Sequence, residues 1–209
     1  MNGCRVDRHP SIKIAPLDWD NLQEAAQLVR SVLPWQGWER VEWAFPLSLH
    51  LERYRHVQQT IDAGTSSVIS GTEGGADIPW PYSWLLRWGQ IEALRFWVGL
   101  DSLSARIIAT TGLYCHIGES HSQCWLGWFC VHPDYRRRGI GTALLNFTIE
   151  QARLDGRKAI RLYTSTHPLE QSAQTFYQNH KFVLIQAKPY FHWGILPTPY
   201  RLLIRERSL

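Results

Sequence analysis

Lysine is nearly missing from this chain: of its 22 basic residues only those at 13, 158, 181 and 188 are lysine. Methionine occurs once, and cysteine only at 4, 115, 124 and 130, too few for a disulfide scaffold in 209 residues. No uninterrupted apolar stretch approaches the ~18–20 residues of a membrane span. The N-terminus, Met1-Asn2-Gly3-Cys4-Arg5-Val6-Asp7-Arg8, has no apolar core and so excludes a secretory signal. A soluble, cytoplasmic protein without membrane contact is expected. The net charge is only +4 with 44% of residues hydrophobic, which excludes a disordered chain. A pI near 9.0 permits an anionic partner without demanding one. The basic residues form one short cluster rather than a stripe, which argues against nucleic acid.

What is present is tryptophan and arginine. Eleven tryptophans occur, and Trp19, Trp35, Trp38, Trp43, Trp80, Trp84 and Trp88 precede residue 90. Arginine's planar fork suits bidentate grips on carboxylate and phosphate. Cys115-His116, His121 and Cys124 resemble four soft ligands. Their spacing fits no common zinc pattern, and neighbours on a strand face opposite ways, so no metal is expected.

Ile12 to Pro16 alternates and stops at proline, as a short strand does. Asp18 or Asp20 is placed to cap a helix from Asn21 to about Val32. A second helix is expected from about Leu47 to Ile61, closed by Gly64. Residues 64–90 are rich in turn residues and then in Pro and Trp, which marks a loop insertion rather than a domain boundary. Three strands follow: Ile91–Leu100, Arg106–His116 and Gln123–Val131. A helix over Ile140–Leu154 turns Ala143, Leu144, Phe147 and Ile149 inward. Strand Ala159–Tyr163, helix Leu169–Asn179 and strands Phe182–Gln186 and Tyr200–Arg205 complete the chain. This order predicts one α/β (α+β) domain over 12–206, with a mixed, mostly antiparallel sheet of about seven strands flanked by helices.

The chemistry concentrates in Val131-His132-Pro133-Asp134-Tyr135-Arg136-Arg137-Arg138-Gly139-Ile140-Gly141-Thr142. A strand ends, a loop carries three arginines and two spaced glycines, and a helix starts at once. Glycines let successive N–H groups converge, and a helix N-terminus adds orphan donors and positive potential. Together they form a cradle for a pyrophosphate.

Arg136-Arg137-Arg138-Gly139-Ile140-Gly141 resembles the Arg/Gln-x-x-Gly-x-Gly/Ala motif of the GNAT (GCN5-related N-acetyltransferase) superfamily. Phe129-Cys130-Val131-His132-Pro133 resembles the family's fourth strand entering that loop. Ala173-Gln174-Thr175-Phe176-Tyr177 with Phe182 resembles its Ala…Phe-Tyr…Gly-Phe segment. The resemblance covers residues 12 to about 188. It implies acetyl-CoA as co-substrate and a small-molecule or peptide amine as acceptor, with a homodimer left open. It also implies that the backbone from Arg137 to Thr142, rimmed by Arg136, Arg137 and Arg138, holds the pyrophosphate. Phe129, Cys130 and Val131 would pair with the pantetheine arm, and the Val131 N–H would face the thioester oxygen. Tyr177 would protonate the departing thiolate.

Three positions depart from that pattern: Gly127 stands where many relatives carry a glutamate base, Lys181 replaces a glycine, and Glu170 replaces an asparagine. The base is left unassigned among water, Glu92, His116 and Glu119. The missing glutamate keeps a non-catalytic acyl-CoA sensor as the alternative. The Trp-rich N-terminal third and 64–90 would wall the acceptor.

Overall fold

A computed structural model describes residues 12–33, 44–46, 48–49, 91–116, 122–192 and 196–209. Seven strands form one sheet in the order β1-β2-β3-β4-β5-β7-β6. They are β1 (Ile12–Pro16), β2 (Ile91–Asp101), β3 (Ile107–His116), β4 (Gln123–Val131), β5 (Ala159–Ser165), β6 (Val183–His192) and β7 (Leu196–Ser208). The helices are α1 (Leu22–Val32), α2 (Ile140–Leu154) and α3 (Gln171–Asn179). Only β4 and β5 pair in parallel; every other neighbour is antiparallel. The expected mixed sheet is what forms. Among the described residues no helix is long and apolar enough to cross a membrane.

Two helix layers cover opposite faces. On the first face, Ala25, Ala26, Leu28 and Val29 of α1 pack against Leu94, Phe96 and Val98 of β2 and Ile107 of β3. Glu24 of α1 also accepts the Ile107 N–H at 3.0 Å, which ties the helix to the start of β3. On the second face, Leu145, Ile149 and Ala152 of α2 meet Leu113, Cys124, Leu126, Ile160 and Leu162. The period-2 alternation of β2 serves both layers, since Trp97 turns to α2 while Phe96 and Val98 turn to α1.

Several boundaries and orientations differ from expectation. Residues 168–170 form a 3-10 turn before α3, because Pro168 fixes the entry and the His167 ring accepts the Leu169 N–H. Ala143 is exposed, and Leu145 and Thr148 are buried in its stead. Neither Asp18 nor Asp20 caps α1: the cap is Asn21, and Asp18 accepts the Asn21 N–H at 2.9 Å in the preceding turn. Both β6 and β7 run longer than their alternation suggests. Of the expected second helix only residues 48 and 49 are described, both helical. The 64–90 segment and Trp35, Trp38, Trp43, Trp80, Trp84 and Trp88 lie outside the described residues.

Cys115 and Cys124 are both buried on the α2 face, whereas the His116 ring packs against Tyr114 and Trp125 on the other. Burial first, and Cys115 second, push the Cys124 thiol up to about 12. Gly112 is held by packing. A Cβ there would overlap the Phe96 ring and lie 2.8 Å from the Arg95 carbonyl oxygen, and backbone cannot yield as a flexible side chain can. Gly112→Ala is expected to cost about 3 kcal/mol, read as a lower denaturant midpoint at unchanged slope. Gly127→Ala, whose Cβ meets side chains alone, the Tyr114 ring at 3.1 Å and the Phe96 ring at 3.5 Å, is expected to cost less.

Candidate functional site

The parallel pairing of β4 with β5 covers only Gln123 to Trp125 against Ala159 to Arg161. Beyond Trp125 the two strands have no mutual ladder, although β4 continues to Val131 and β5 to Ser165. A gap therefore opens in the middle of the sheet, lined by backbone groups that no neighbouring strand satisfies.

A bulge shapes the β4 side of that gap. Gly112 pairs with Gly127 and Thr110 with Cys130, so two residues of β4 oppose one of β3. Trp128 takes a positive φ of 46°, and its carbonyl accepts the Thr110 hydroxyl at 2.7 Å. Past the bulge the ladder resumes, and His132 donates to the Ile108 carbonyl at 2.8 Å. Backbone N–H groups alternate sides along a strand, so with His132 turned to β3 the Val131 N–H turns to the gap. Cys130 is buried against the α1 layer, and its Sγ lies 3.2 Å from the Thr110 hydroxyl. Burial pushes its thiol up to about 11. Its backbone groups turn to β3 as those of His132 do, so Cys130 offers the gap no polar group.

The arginine-glycine loop closes one end. Arg137 and Gly139 both adopt left-handed backbone, at φ 62° and 79°, which turns consecutive N–H groups into a concavity. Gly139 caps α2, and the first intrahelical donor is Ala143, at 3.0 Å from the Gly139 carbonyl. The N–H groups of Ile140, Gly141 and Thr142 thus have no partner in the helix. Gly141 joins three parts of the site: a Cβ on it would lie 3.6 Å from Phe176 and 3.9 Å from Val131.

The three arginines do different things. Arg136 Nε donates to the Val131 carbonyl at 3.0 Å, which fixes the end of β4 to the loop. Arg138 lies over the Tyr135 ring at 5.4 Å. The Tyr135 hydroxyl in turn donates to Asp101 at 3.1 Å. The Leu103 N–H foremost, then Ser104, hold that Asp101 carboxyl below its usual range. Arg137 is exposed. The cationic rim is therefore braced from below, and its sequence position alone does not reveal the bracing.

α3 lies behind the gap. Phe176 stacks on Phe129 at 5.8 Å, and Tyr177 meets Phe129 at 6.1 Å and Phe182 at 5.7 Å. Tyr177 is buried, and desolvation, then the Glu170 carboxylate and the Cys130 thiol, raise its hydroxyl far above the ordinary value. Glu170 accepts the Thr164 hydroxyl at 2.8 Å and the Ser165 N–H at 2.7 Å, tying the end of β5 to the turn before α3. The family asparagine's place thus holds a carboxylate occupied with the backbone. Among the suggested bases, Glu119 and the Glu92 side chain lie outside the described residues. His116 sits in an aromatic cluster. The bulge at Trp128 is the feature that residue types do not announce, because tryptophan is not a turn former.

The comparisons agree with this geometry. Residues 92–184 match the family model described as an acetyltransferase (GNAT) domain. A GNAT-family protein from Desulfovibrio desulfuricans superposes at TM-score 0.59 with 12% identity, over 95% of this chain and 99% of that one. Ard1 from Thermoplasma volcanium does so at 0.58 with 16% identity, over 95% and 97%. Arabidopsis thaliana NAA60, solved with a bisubstrate analogue, gives 0.56 with 14% identity, over 95% and 98%. At these identities the likeness is one of fold. No curated protein matches the sequence. Residues 92–184, which carry the gap, the loop and α3, thus match an acetyltransferase (GNAT) domain, and the fold around them is one that these solved structures share.

Proposed function

We propose that the protein transfers an acetyl group from acetyl-CoA to a primary amine, by direct attack of the amine in a ternary complex. The observation that carries this reading is the gap between β4 and β5, which ends beneath the unpartnered N–H groups at the start of α2. Backbone from Arg137 to Thr142 binds the pyrophosphate, with charge from the arginine rim. The pantetheine arm lies in the gap along Phe129 to Val131. The Val131 N–H donates to the thioester oxygen as negative charge develops there, an effect worth about 3 kcal/mol of barrier lowering. Tyr177 gives its proton to the departing thiolate. Holding amine and thioester together supplies much of the remaining acceleration.

A second reading is an acyl-CoA sensor, favoured by one observation: Gly127 offers no carboxylate to take the ammonium proton. One experiment separates the two. The protein is titrated with CoA by calorimetry and then incubated with acetyl-CoA and a panel of amines and peptides, following free thiol. Micromolar CoA binding with thiol release is the expected result. Binding without release on any acceptor selects the sensor, and absence of CoA binding overturns both.

A further inference from the structure

The turn that joins β2 to β3 has no part in the acetyl-transfer reading, yet it reaches the arginine-glycine loop through the Tyr135 side chain. We propose that Asp101, at the end of β2, is a positioning residue for the donor: acting through Tyr135, it sets the Arg138 guanidinium to grip the diphosphate of CoA. The inference rests on the donor half of that reading.

The turn is fixed before it meets the loop. Leu100 and Ile107 pair at its base. The Asp101 N–H donates to the Arg106 carbonyl at 2.9 Å, and the Ala105 N–H donates to the Asp101 carbonyl at 2.8 Å. The Asp101 carboxylate is held as firmly. One oxygen accepts the Leu103 N–H at 3.1 Å, and the other accepts the Ser104 hydroxyl at 2.9 Å. That second oxygen also accepts the Tyr135 hydroxyl at 3.1 Å, from 34 residues along the chain. Tyr135 in turn packs against Ile108, Ala109, Ile140 and Leu144, where β3 meets α2. Its ring is wedged at one end and tied at the other.

Arg138 lies over that ring, its guanidinium carbon 5.4 Å from the centre. A face contact holds a guanidinium without spending an N–H, because a ring presents no lone pair to accept one. Arg136, by contrast, has committed its Nε to the Val131 carbonyl. Among the described residues no carboxylate pairs with any of the three loop arginines. Arg138 thus combines a fixed place with uncommitted donors. It also directly precedes Gly139, the cap of α2, whose first turn leaves the Ile140, Gly141 and Thr142 N–H groups without helical partners.

Fixing this side chain in advance favours binding. An exposed arginine that closes on an anion loses rotamer freedom, and one already laid on a ring has lost part of it beforehand. The hydroxyl adds to the effect. Donation to a carboxylate pushes electron density onto the ring, and the denser face holds a cation more firmly. Influence therefore runs from the turn to Asp101, to Tyr135, to Arg138 and so to the phosphate.

The test is a double-mutant cycle on CoA affinity, measured by calorimetry at one salt concentration. Arg138→Ala should weaken CoA about tenfold, the loss of charge-assisted bonds to phosphate. Tyr135→Leu keeps apolar bulk against β3 and α2 but removes ring face and hydroxyl, and should weaken CoA about fivefold. Tyr135→Phe and Asp101→Asn should each weaken it about twofold. In the Arg138→Ala background all three should change affinity by less than about 1.5-fold, because the group they position is gone. Losses that multiply in that background make Tyr135 and Asp101 merely structural and overturn the proposal. So does a Tyr135→Leu protein with parental affinity. Dephospho-CoA, which keeps the diphosphate and lacks the 3′-phosphate, should return the same coupling. A coupling that vanishes with it moves the grip to the 3′-phosphate and overturns the assignment to the diphosphate. Acetyl transfer fails by a separate route: CoA binding without thiol release on any amine refutes the transfer and leaves the result of the cycle standing. Absence of CoA binding overturns the proposal as well.

Discussion

Replacing Gly141 with glutamate is expected to weaken CoA binding about 100-fold or more while the melting temperature stays unchanged or rises slightly. Space permits the substitution, because a Cβ at 141 would lie 3.6 Å from Phe176 and 3.9 Å from Val131, ordinary contact distances. Electrostatics favours it for folding, since a carboxylate in the first turn of α2 complements the helix dipole. The ligand loses on both counts. The new side chain projects over the unpartnered N–H groups of Ile140 to Thr142, and its charge faces a pyrophosphate of the same sign. Like charges in contact cost several kcal/mol. Gly141→Ala is the control: it adds a methyl group that fits, so affinity should fall only a fewfold. Calorimetry with CoA and a thermal melt on both variants decide the matter. A folded Gly141→Glu protein with unchanged affinity places the pyrophosphate elsewhere.

Legibility in the sequence varied with the kind of signal. β4 over Gln123–Val131 and α2 over Ile140–Leu154 have the limits that the pattern predicts, because Pro133 and Gly139 punctuate the chain between them. β6 and β7 extend past prediction because Pro189, Pro197 and Pro199 argue against strand. β6 is a sheet edge, where a missing N–H costs little, and the pair registers from Val183↔Glu206 to His192↔Leu196. Arginine function was only half legible. Three guanidiniums in a row point to an anion, yet Arg136 also braces the Val131 carbonyl and Arg138 rests on Tyr135. Those uses depend on where the strand end lies relative to the loop.

Features built across strands were not legible at all. Tyr114, Trp125 and Tyr163 are distant in sequence, and their stacking follows from register, which a pattern of single residues does not encode. The bulge at Trp128 belongs to the same class, since it exists only as a mismatch between β3 and β4. The tryptophans that precede residue 90 suggest an aromatic acceptor wall. All of those but Trp19 lie outside the described residues. Trp19, the one early tryptophan described, is 58% exposed.

The Tyr177→Phe variant should lower kcat for thiol release about 100-fold, the low end of the range for a positioned general acid, with CoA affinity within twofold of the parent. The ring contacts survive the change, because Phe129, Phe176 and Phe182 meet the aromatic face. Stability is expected to alter little. The sign of the pH effect follows from the hydroxyl's surroundings. Desolvation first, then Glu170 and Cys130, raise its pKa above the ordinary value of about 10, so it stays protonated throughout neutral and mildly alkaline solution. An acid is active in its protonated form, so no loss of rate between pH 7 and about pH 10 should come from Tyr177. The parent and the variant should therefore give parallel profiles over that range, offset by a constant factor. A thiolate is less basic than a phenolate, so full transfer from tyrosine is uphill until the carbon–sulfur bond has lengthened. That places the hydroxyl's contribution late, in kcat rather than in CoA binding. Equal kcat in parent and variant would leave Tyr177 as a core aromatic of α3, whereas a fall in CoA affinity matching the fall in rate would make it a binding residue of the gap.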